Sequence, residues 1–226
     1  MPVFRLTNEI SFPLPALAED DGLLAIGGDL SVDRLILAYS NGIFPWYNEG
    51  EPILWWCPKE RYIIRPDNIH VSHSMKKFAR KHDIRVAFNR DFSEVMHKCR
   101  IKREFKEGTW ITTDMEKAYR ELFDRGLAIC AESYIDDEPA GGLYGVSLGR
   151  CFFGESMYTD IENGSKIALI SLANLLREMD YVFIDCQFHT DHLESMGGEK
   201  ISYEEYMQLV EQGIKKQPVT HEGCRL

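Results

Sequence analysis

Two short segments place polar side chains within otherwise apolar runs, and they are the first candidates for chemistry. Gly154-Glu155-Ser156-Met157 lies on a predicted strand, and Ile184-Asp185-Cys186-Gln187 ends another. Carboxyl and amide groups at such positions commonly line a site, where a carboxylate can accept a proton from a substrate. A buried salt bridge is the alternative interpretation. The sequence leaves both interpretations open.

Other reactive arrangements are disfavoured by their chemistry. Cys186 is a poor nucleophile, because the neighbouring Asp185 raises the pKa of its thiol and no activating Lys or Arg lies nearby in sequence. The spacing of Cys186, His189 and His192 matches no standard closed zinc site, so we expect no metal. The one string with G-x-S-x-G spacing, residues 145–149, ends a predicted strand before a turn and is not a strand-to-helix nucleophile elbow. A Ser-His-Asp triad assembled by the fold stays open.

Tryptophans and a basic segment are typical of a protein that binds nucleic acid. Three of the four tryptophans, at positions 46, 55 and 56, lie within eleven residues, and the fourth is Trp110. Tryptophan most often packs in a core or at its rim, but it can also stack on bases, at ~1–3 kcal/mol per base. Lys76, Lys77, Arg80 and Lys81 follow at helical spacing and would present cations to phosphates. We call these four residues the basic face.

The charge distribution is uneven, although the chain is acidic overall with a net charge of −10. Residues 59–106 hold 14 basic and 6 acidic side chains, whereas residues 1–58 hold 2 and 8, and residues 107–226 hold 10 and 22. A basic block inside an acidic chain indicates a site for a specific polyanion more often than general affinity for polyanions. A solvated lysine-rich helix face explains the charge alone equally well.

Length and composition are those of an ordinary globular protein. The chain has 226 residues, of which 44% are hydrophobic, so it can bury a core without disulfides or metal. Its longest charge-free stretch, residues 35–48, is too short to span a membrane, and its first residues resemble no signal peptide. The six cysteines include no CxxC pair. We expect a soluble, reduced, cytoplasmic protein that does not act at a membrane.

Capping boxes, glycine turns and apolar periodicity predict the elements that must position these residues. Residues 1–60 are rich in Pro, Gly and aromatic residues and contain one clear helix, which Ser31 caps and Gly42 ends. Further predicted helices cover residues 72–82, 91–100, 113–125, 165–179 and 202–216. Predicted strands cover residues 53–56, 62–64, 84–88, 128–135, 140–148, 151–158 and 182–185. This order predicts a mixed α+β protein.

Three antiparallel strands, a long helix and a further strand are compatible with an acyltransferase fold of the N-acetyltransferase type. Acetyl-CoA enzymes bind pyrophosphate with a glycine-spaced loop that opens the long helix. The corresponding residues 161–166 lack that spacing. We therefore expect an acyl donor other than acetyl-CoA.

A series of short strings resembles the leucyl/phenylalanyl-tRNA–protein transferase family. The strings are GLLAIGGDLS at 22–31, GIFPW at 42–46, PILWW at 52–56, GTWIT at 108–112, GGLYGV at 141–146, GESM at 154–157 and IDCQ at 184–187. Each string is weak alone, but they run in the family's order from about residue 10 to residue 205.

The resemblance implies a small N-terminal α/β domain over residues 1–61 and an N-acetyltransferase-like (GNAT-type) catalytic domain over residues 62–226. It implies an enzyme that transfers Leu or Phe, and less readily Met, from aminoacyl-tRNA to proteins with N-terminal Arg or Lys. Such transfer marks the acceptor for degradation through the N-degron pathway. No cofactor is implied, because the tRNA ester is already activated.

The resemblance also implies roles for individual residues. Trp46 and Trp110 would pack on the 3′-terminal adenosine, and the basic face would bind the rest of the tRNA. Asp185 and Gln187, with Glu155 behind them, would position the acceptor amine and ease the loss of its proton. An apolar pocket for the donor side chain would use five residues: Leu143, Phe152, Met157, Leu172 and Ile184.

Several alternatives stay open. Leu143 and Leu172 stand where Met and Phe are familiar in the family, which leaves the preference between Leu and Phe undecided. Asp185 either acts directly on the proton or only orients Gln187. An N-acetyltransferase-like enzyme with another acyl donor and an RNA-binding module without chemistry are the competing functions. The missing coenzyme loop counts against the first, and the polar strand ends count against the second.

Overall fold

The computed structural model describes residues 3–104 and 109–215, which form a mixed α+β protein with two sheets. The smaller sheet has the order β1-β2-β4-β3. Its strands are β1 (Phe4–Leu6), β2 (Leu23–Gly27), β3 (Phe44–Pro45) and β4 (Leu54–Trp56). Helix α1 (Val32–Ser40) joins β2 to β3 and buries Leu35 together with Ala38 and Tyr39, which follow it by three and four residues and share its helix face.

The larger sheet has seven strands in the order β11-β5-β10-β9-β8-β7-β6. They are β5 (Glu60–Ile64), β6 (Ile84–Phe88), β7 (Ala128–Ile135), β8 (Glu138–Leu148), β9 (Cys151–Thr159), β10 (Phe183–Gln187) and β11 (Glu199–Ser202). All neighbouring strands are antiparallel except β9 and β10, which are parallel. The predicted antiparallel run of three strands is confirmed.

Helices cover both faces of the larger sheet because its strands alternate their side chains between the two faces. The remaining helices are α2 (His73–Ala79), α3 (Phe92–Glu104), α4 (Thr113–Asp124), α5 (Gly164–Glu178), α6 (Asp191–Ser195) and α7 (Tyr203–Ile214). On β8, Leu143 packs with the buried leucines of α5, whereas Tyr144 packs on the rings of Phe92 and Tyr119 from α3 and α4.

Two irregularities in strand pairing aim the candidate site residues. Between β8 and β9, Tyr144 pairs with Ser156 and Gly145 pairs with Gly154, so Glu155 is the extra residue of a bulge. Between β10 and β5, Asp185 and Gln187 pair with consecutive residues, and Cys186 is the extra residue. Bulges are common beside active sites, because they redirect a side chain that a regular strand would aim elsewhere.

Most predicted elements are confirmed, with small corrections. Helix α2 ends at Ala79 instead of about residue 82, and α3 continues to Glu104 instead of about residue 100. The cap of helix α4 is Thr112, one residue before the predicted start at residue 113, and its hydroxyl accepts the Met115 N–H. The sequence did not predict β1, β2, β3, α6 or β11. The predicted end of the last helix at residue 216 lies outside the described residues.

The predicted domain boundary after residue 61 falls inside β5. All of β5 pairs within the larger sheet, and the smaller sheet ends at Trp56, so the chain passes between the sheets at residues 57–59. One continuous hydrophobic core nevertheless joins the sheets, because Tyr39 and Phe44 pack in the same cluster as Phe153.

Within the described ranges, no helix is long and apolar enough to cross a membrane.

Candidate active site

A cavity of about 480 Å³ opens where the parallel strands β9 and β10 part. Their pairing ends at Asp185 and Phe153, and the residues beyond that pair line the cavity from both sides. Glu155 and Gln187 form part of its polar end. Strand ends that separate in this way leave space between two backbones, where a substrate can reach polar groups of both strands.

Asp185 is fully engaged by buried donors. Its side chain is 1% exposed, and the guanidinium of Arg61, which is 0% exposed, binds it through Nη2 at 2.7 Å and Nε at 3.1 Å. The Tyr206 hydroxyl donates to the same carboxylate at 2.8 Å, and the Gln187 backbone N–H donates to it at 2.8 Å. The predicted alternative of a buried salt bridge therefore holds for Asp185, and it coexists with a place in the cavity wall.

Gln187 takes its orientation from that carboxylate. Its φ of 62° lies in the left-handed region, which costs a non-glycine residue free energy, and the bond from its backbone N–H to Asp185 stabilises this conformation. Its side-chain Nε2 lies 3.4 Å from both the Gly154 carbonyl oxygen and Glu155 Oε1. With the amide nitrogen turned toward β9, the Oε1 of Gln187 can accept a hydrogen bond from a ligand in the cavity.

Glu155 lies against two buried tyrosines. The Tyr39 hydroxyl oxygen is 2.6 Å from Oε1, and the Tyr119 hydroxyl oxygen is 3.0 Å from Oε2. Burial raises the pKa of Glu155 to about 7, although the hydrogen bonds of both tyrosines oppose the shift. A carboxyl group with this pKa exchanges its proton near neutral pH.

The opposite wall of the cavity is apolar. Four of the five residues predicted for a side-chain pocket line it: Leu143, Phe152, Met157 and Ile184. The fifth, Leu172, is a correction. It is fully buried in the same hydrophobic cluster but does not line the cavity, because it lies one helical turn of α5 beyond Leu169, which does.

Aromatic side chains surround the cavity entrance. Trp46 lines the cavity, is 43% exposed, and lies 5.8 Å by ring centroid from both Trp56 and Phe188. Trp110 also lines the cavity, with the Arg103 guanidinium 5.6 Å from its ring centroid. Exposed indole faces beside a cation can stack on a nucleobase.

The basic face lies away from the cavity. Its four side chains are exposed, on α2 and the two residues after it, and none of them lines the cavity. In the described part of the chain, none of the four forms an ion pair. These cations are therefore available to an external polyanion.

Cys186, His189 and His192 do not bring their potential ligand atoms together in the described part of the chain. Burial and the Asp185 carboxylate raise the pKa of the Cys186 thiol, which agrees with its rejection as a nucleophile. Among the described residues, the one group with clustered ligand atoms is His189, Asp191 and Glu194, all exposed. His189 already pairs with Glu194 there at 2.9 Å.

Sequence reasoning missed the residues that support the site from behind. Arg61, Tyr206, Tyr39 and Tyr119 come from four different elements and contact Asp185 or Glu155. The one available signal was Asp185 itself, because a carboxylate at the end of an apolar strand requires a buried cationic partner. No local pattern identifies which of the chain's arginines supplies it.

Comparison with known proteins assigns the chain to a family. The family model described as leucyl/phenylalanyl-tRNA protein transferase matches residues 63–211, and the model of its N-terminal domain matches residues 28–59. The leucyl/phenylalanyl-tRNA–protein transferase of Desulfatibacillum aliphaticivorans is 49% identical over 95% of this chain and 93% of the relative. That of Syntrophus aciditrophicus is 48% identical over 96% of this chain and 91% of the relative.

Solved structures add little to that assignment. L-PGS from Bacillus licheniformis matches 87% of this chain and 72% of its own, at 12% identity and a TM-score of 0.43. That score is too low to carry an argument. The family-model matches include strands of both sheets and every residue of the cavity described above, and with the relatives they show that the chain belongs to the leucyl/phenylalanyl-tRNA–protein transferase family of enzymes.

Proposed function

We propose that this chain transfers Leu or Phe, and less readily Met, from aminoacyl-tRNA to the α-amine of proteins that begin with Arg or Lys. The observation that carries the proposal is a single cavity whose lining combines apolar side chains with Gln187, Asp185 and Glu155. The donor side chain occupies the apolar wall, and the ester carbonyl lies between it and the polar end. In this role the enzyme marks its acceptors for the N-degron pathway in the cytoplasm.

Gln187 positions the acceptor amine. Its Oε1 accepts an N–H of the amine and aims the nitrogen lone pair at the ester carbonyl carbon. The C–N bond forms, the bond from the carbonyl carbon to the ribose oxygen breaks, and the proton lost by the amine ends on that ribose oxygen. An α-amine has a pKa of about 7.7–8.0, so a useful fraction is neutral without a strong base.

Asp185 acts through Gln187 in this proposal. Its carboxylate oxygens already accept from Arg61, Tyr206 and the Gln187 backbone, which leaves no obvious lone pair for the substrate. It is therefore a positioning residue, and Gln187 contacts the amine. These contacts support orientation over direct action on the proton, the two alternatives that the sequence left open.

The apolar wall sets donor selectivity by volume and shape. Leu143, Phe152, Met157 and Ile184 offer no hydrogen-bond partner to a polar side chain, so a polar donor would lose its hydration without replacement. The flexible thioether of Met157 adapts to both branched and planar guests. These properties favour Leu, Phe and Met as donors.

The tRNA would occupy the surface around the cavity entrance. Its terminal adenine packs between Trp46 and Trp110, and the basic face attracts phosphates further along the molecule. The larger sheet then serves as an N-acetyltransferase-like scaffold in which an aminoacyl ester replaces the coenzyme thioester. The parallel strands β9 and β10, which part at the cavity, support that comparison.

Label transfer tests the proposal. Purified protein is incubated with radiolabelled Leu-tRNA, without any coenzyme, and with an acceptor protein that begins with Arg. The acceptor should gain label, whereas the same acceptor with an acetylated N-terminus should gain none. Label on the acetylated acceptor, or no label on either, would contradict the proposal.

A variant pair tests the role of Gln187. Gln187→Ala should lower kcat by about 10²-fold, the scale at which a misplaced reacting group slows an enzyme, with unchanged affinity for aminoacyl-tRNA. Gln208→Ala removes an exposed glutamine of α7 and should change neither quantity. Equal losses of kcat and tRNA affinity in Gln187→Ala would assign the residue a structural role.

A further inference from the structure

Glu155, Tyr39 and Tyr119 form a closed ring of oxygen contacts at the polar end of the cavity. Tyr39 lies 2.6 Å from Glu155 Oε1, Tyr119 lies 3.0 Å from Glu155 Oε2, and the two hydroxyl oxygens are 2.5 Å apart. Oxygen atoms at these distances are hydrogen-bonded, and each contact holds one hydrogen. Three contacts therefore require three hydrogens.

The two tyrosines supply only two of them, because each hydroxyl carries one hydrogen. With an ionised Glu155, both hydroxyls would donate to the carboxylate, and the contact between the two tyrosine oxygens would hold none. With a protonated Glu155, the acid donates to Tyr119, Tyr119 donates to Tyr39, and Tyr39 donates to the other carboxyl oxygen. Only the protonated carboxyl satisfies all three contacts.

The surrounding charges favour the same state. Arg61 is a fully buried cation beside this site, and Asp185 binds it at 2.7 Å, so their charges compensate each other. A second buried carboxylate at Glu155 would add an uncompensated negative charge. Among the described residues, the charged and titratable groups that face Glu155 or its neighbour Ser156 include Tyr39 of α1, Tyr119 of α4, Tyr144 of β8, Asp185 of β10, Arg61 of β5, and Cys99 and Arg103 of α3.

We propose that Glu155 carries the third hydrogen of this ring and is therefore in its neutral, protonated form, and that aminoacyl transfer requires this form. The second half rests on the proposed function. Attack by the amine places negative charge on the ester carbonyl oxygen, and a carboxylate in the same cavity wall would repel that charge. The neutral acid keeps the hydrogen bond to Gln187 without the repulsion. Burial, which raises the pKa of Glu155 to about 7, supports the assignment.

The protonation state is tested on the protein alone. Side-chain carboxyl carbons of glutamate are labelled with ¹³C, and the Glu155 signal is identified by its loss in Glu155→Gln. The signal should show the neutral acid at pH 6 and titrate near pH 7. It should titrate at higher pH in Tyr119→Phe, because the ionised form loses a donor. A signal that is already ionised at pH 6 would overturn the proposal.

A matched control distinguishes this effect from the general loss of a hydroxyl. Tyr134 donates to Glu132 at 2.9 Å, a tyrosine–glutamate pair outside the cavity lining. Tyr134→Phe should leave the titration of Glu155 unchanged. An equal shift in Tyr134→Phe and Tyr119→Phe would contradict the role of the ring.

The requirement for the neutral form is tested by the pH dependence of transfer. The ratio of kcat/KM for the parent to kcat/KM for Glu155→Gln cancels the ionisation of the acceptor amine, because both enzymes use the same acceptor. Hydrolysis of the tRNA ester is subtracted with an enzyme-free reaction. The ratio should fall about tenfold between pH 6 and pH 8, since an acid with a pKa of about 7 ionises over that interval while the amide stays neutral.

Three outcomes would overturn this requirement: a ratio that rises with pH, a ratio that stays flat, or no transfer by Glu155→Gln at any pH. Failure of the proposed function has a different signature. The parent itself would then transfer no leucine, and the carboxyl titration would still decide whether the ring holds the third proton.

Discussion

Replacement of Arg61 by Met should destabilise the protein by about 3–5 kcal/mol at pH 7, the cost of leaving a buried charge without its partner. Arg61 and Asp185 are 0% and 1% exposed, so water cannot replace the lost guanidinium. Methionine fills much of the arginine volume, and the loss is therefore mainly electrostatic. For a chain of this size, such a loss corresponds to a fall in Tm of roughly 6–20 °C.

Arg34→Met is the matched control. Arg34 is also fully buried and donates to Asp29, but the Asp29 side chain is 47% exposed and stays hydrated when the arginine is removed. Its other acceptors are the carbonyl oxygens of Thr7 and Glu9. Arg34→Met should therefore cost packing and hydrogen bonds without leaving a buried charge.

The assay is urea unfolding of both variants and the parent at pH 7. Arg61→Met should lose more stability than Arg34→Met, because only Arg61→Met leaves a buried carboxylate without its cation. A second change, Asp185→Leu, should restore part of the stability by removing the charge. Equal losses in Arg61→Met and Arg34→Met, or no recovery with Asp185→Leu, would refute this reasoning.

Three further predictions concern tRNA, donor choice and pH. Reversal of charge at all four positions of the basic face should raise KM for Leu-tRNA by an order of magnitude or more. An aminoacyl-adenosine donor should be used as before, because it is too small to reach α2. Lys117→Glu, at an exposed lysine of α4, is the control. Leu143→Ala should shift the competition between Leu-tRNA and Phe-tRNA toward Phe by about tenfold. Leu172→Ala changes a residue outside the cavity lining, so it should lose stability with no change in donor ranking. Because Glu155 has a folded pKa of about 7, above its unfolded value, the parent should lose stability as pH rises from about 4.5 through 7. Glu155→Gln should escape this loss, and urea unfolding should show a gain over the parent of up to about 3 kcal/mol at pH 8.

Local rules predicted the regular elements well. Strands β6 and β7 have the predicted bounds, because alternating apolar residues end at clear turn residues there. The capping side chains of Asp91 and Ser202 accept the N–H three residues on, as the capping boxes predicted. The missed strands of the smaller sheet are two to five residues long, and segments this short carry too little periodicity to be recognised.

The sequence also identified most of the residues that line the cavity. The strings around Glu155 and Asp185 were singled out because polar groups interrupt apolar strands, and both strings line the same cavity. Leu172 was misplaced because adjacent turns of one helix face, here Leu169 and Leu172, look equivalent in sequence. Only the position of α5 against β8 decides which turn reaches the cavity.

The sequence by itself therefore determined the element types, the family resemblance and the chemical character of the cavity, because these depend on local spacing and residue type. The protonation states and partners of the buried carboxyl groups depend on residues far apart in the chain. Arg61 meets Asp185 across 124 positions, and Tyr39 meets Glu155 across 116. Burial and hydrogen bonding at such contacts follow only from how helices pack on the sheet, so the tertiary structure alone decided which carboxyl is paired with a cation and which shares a ring with two tyrosines.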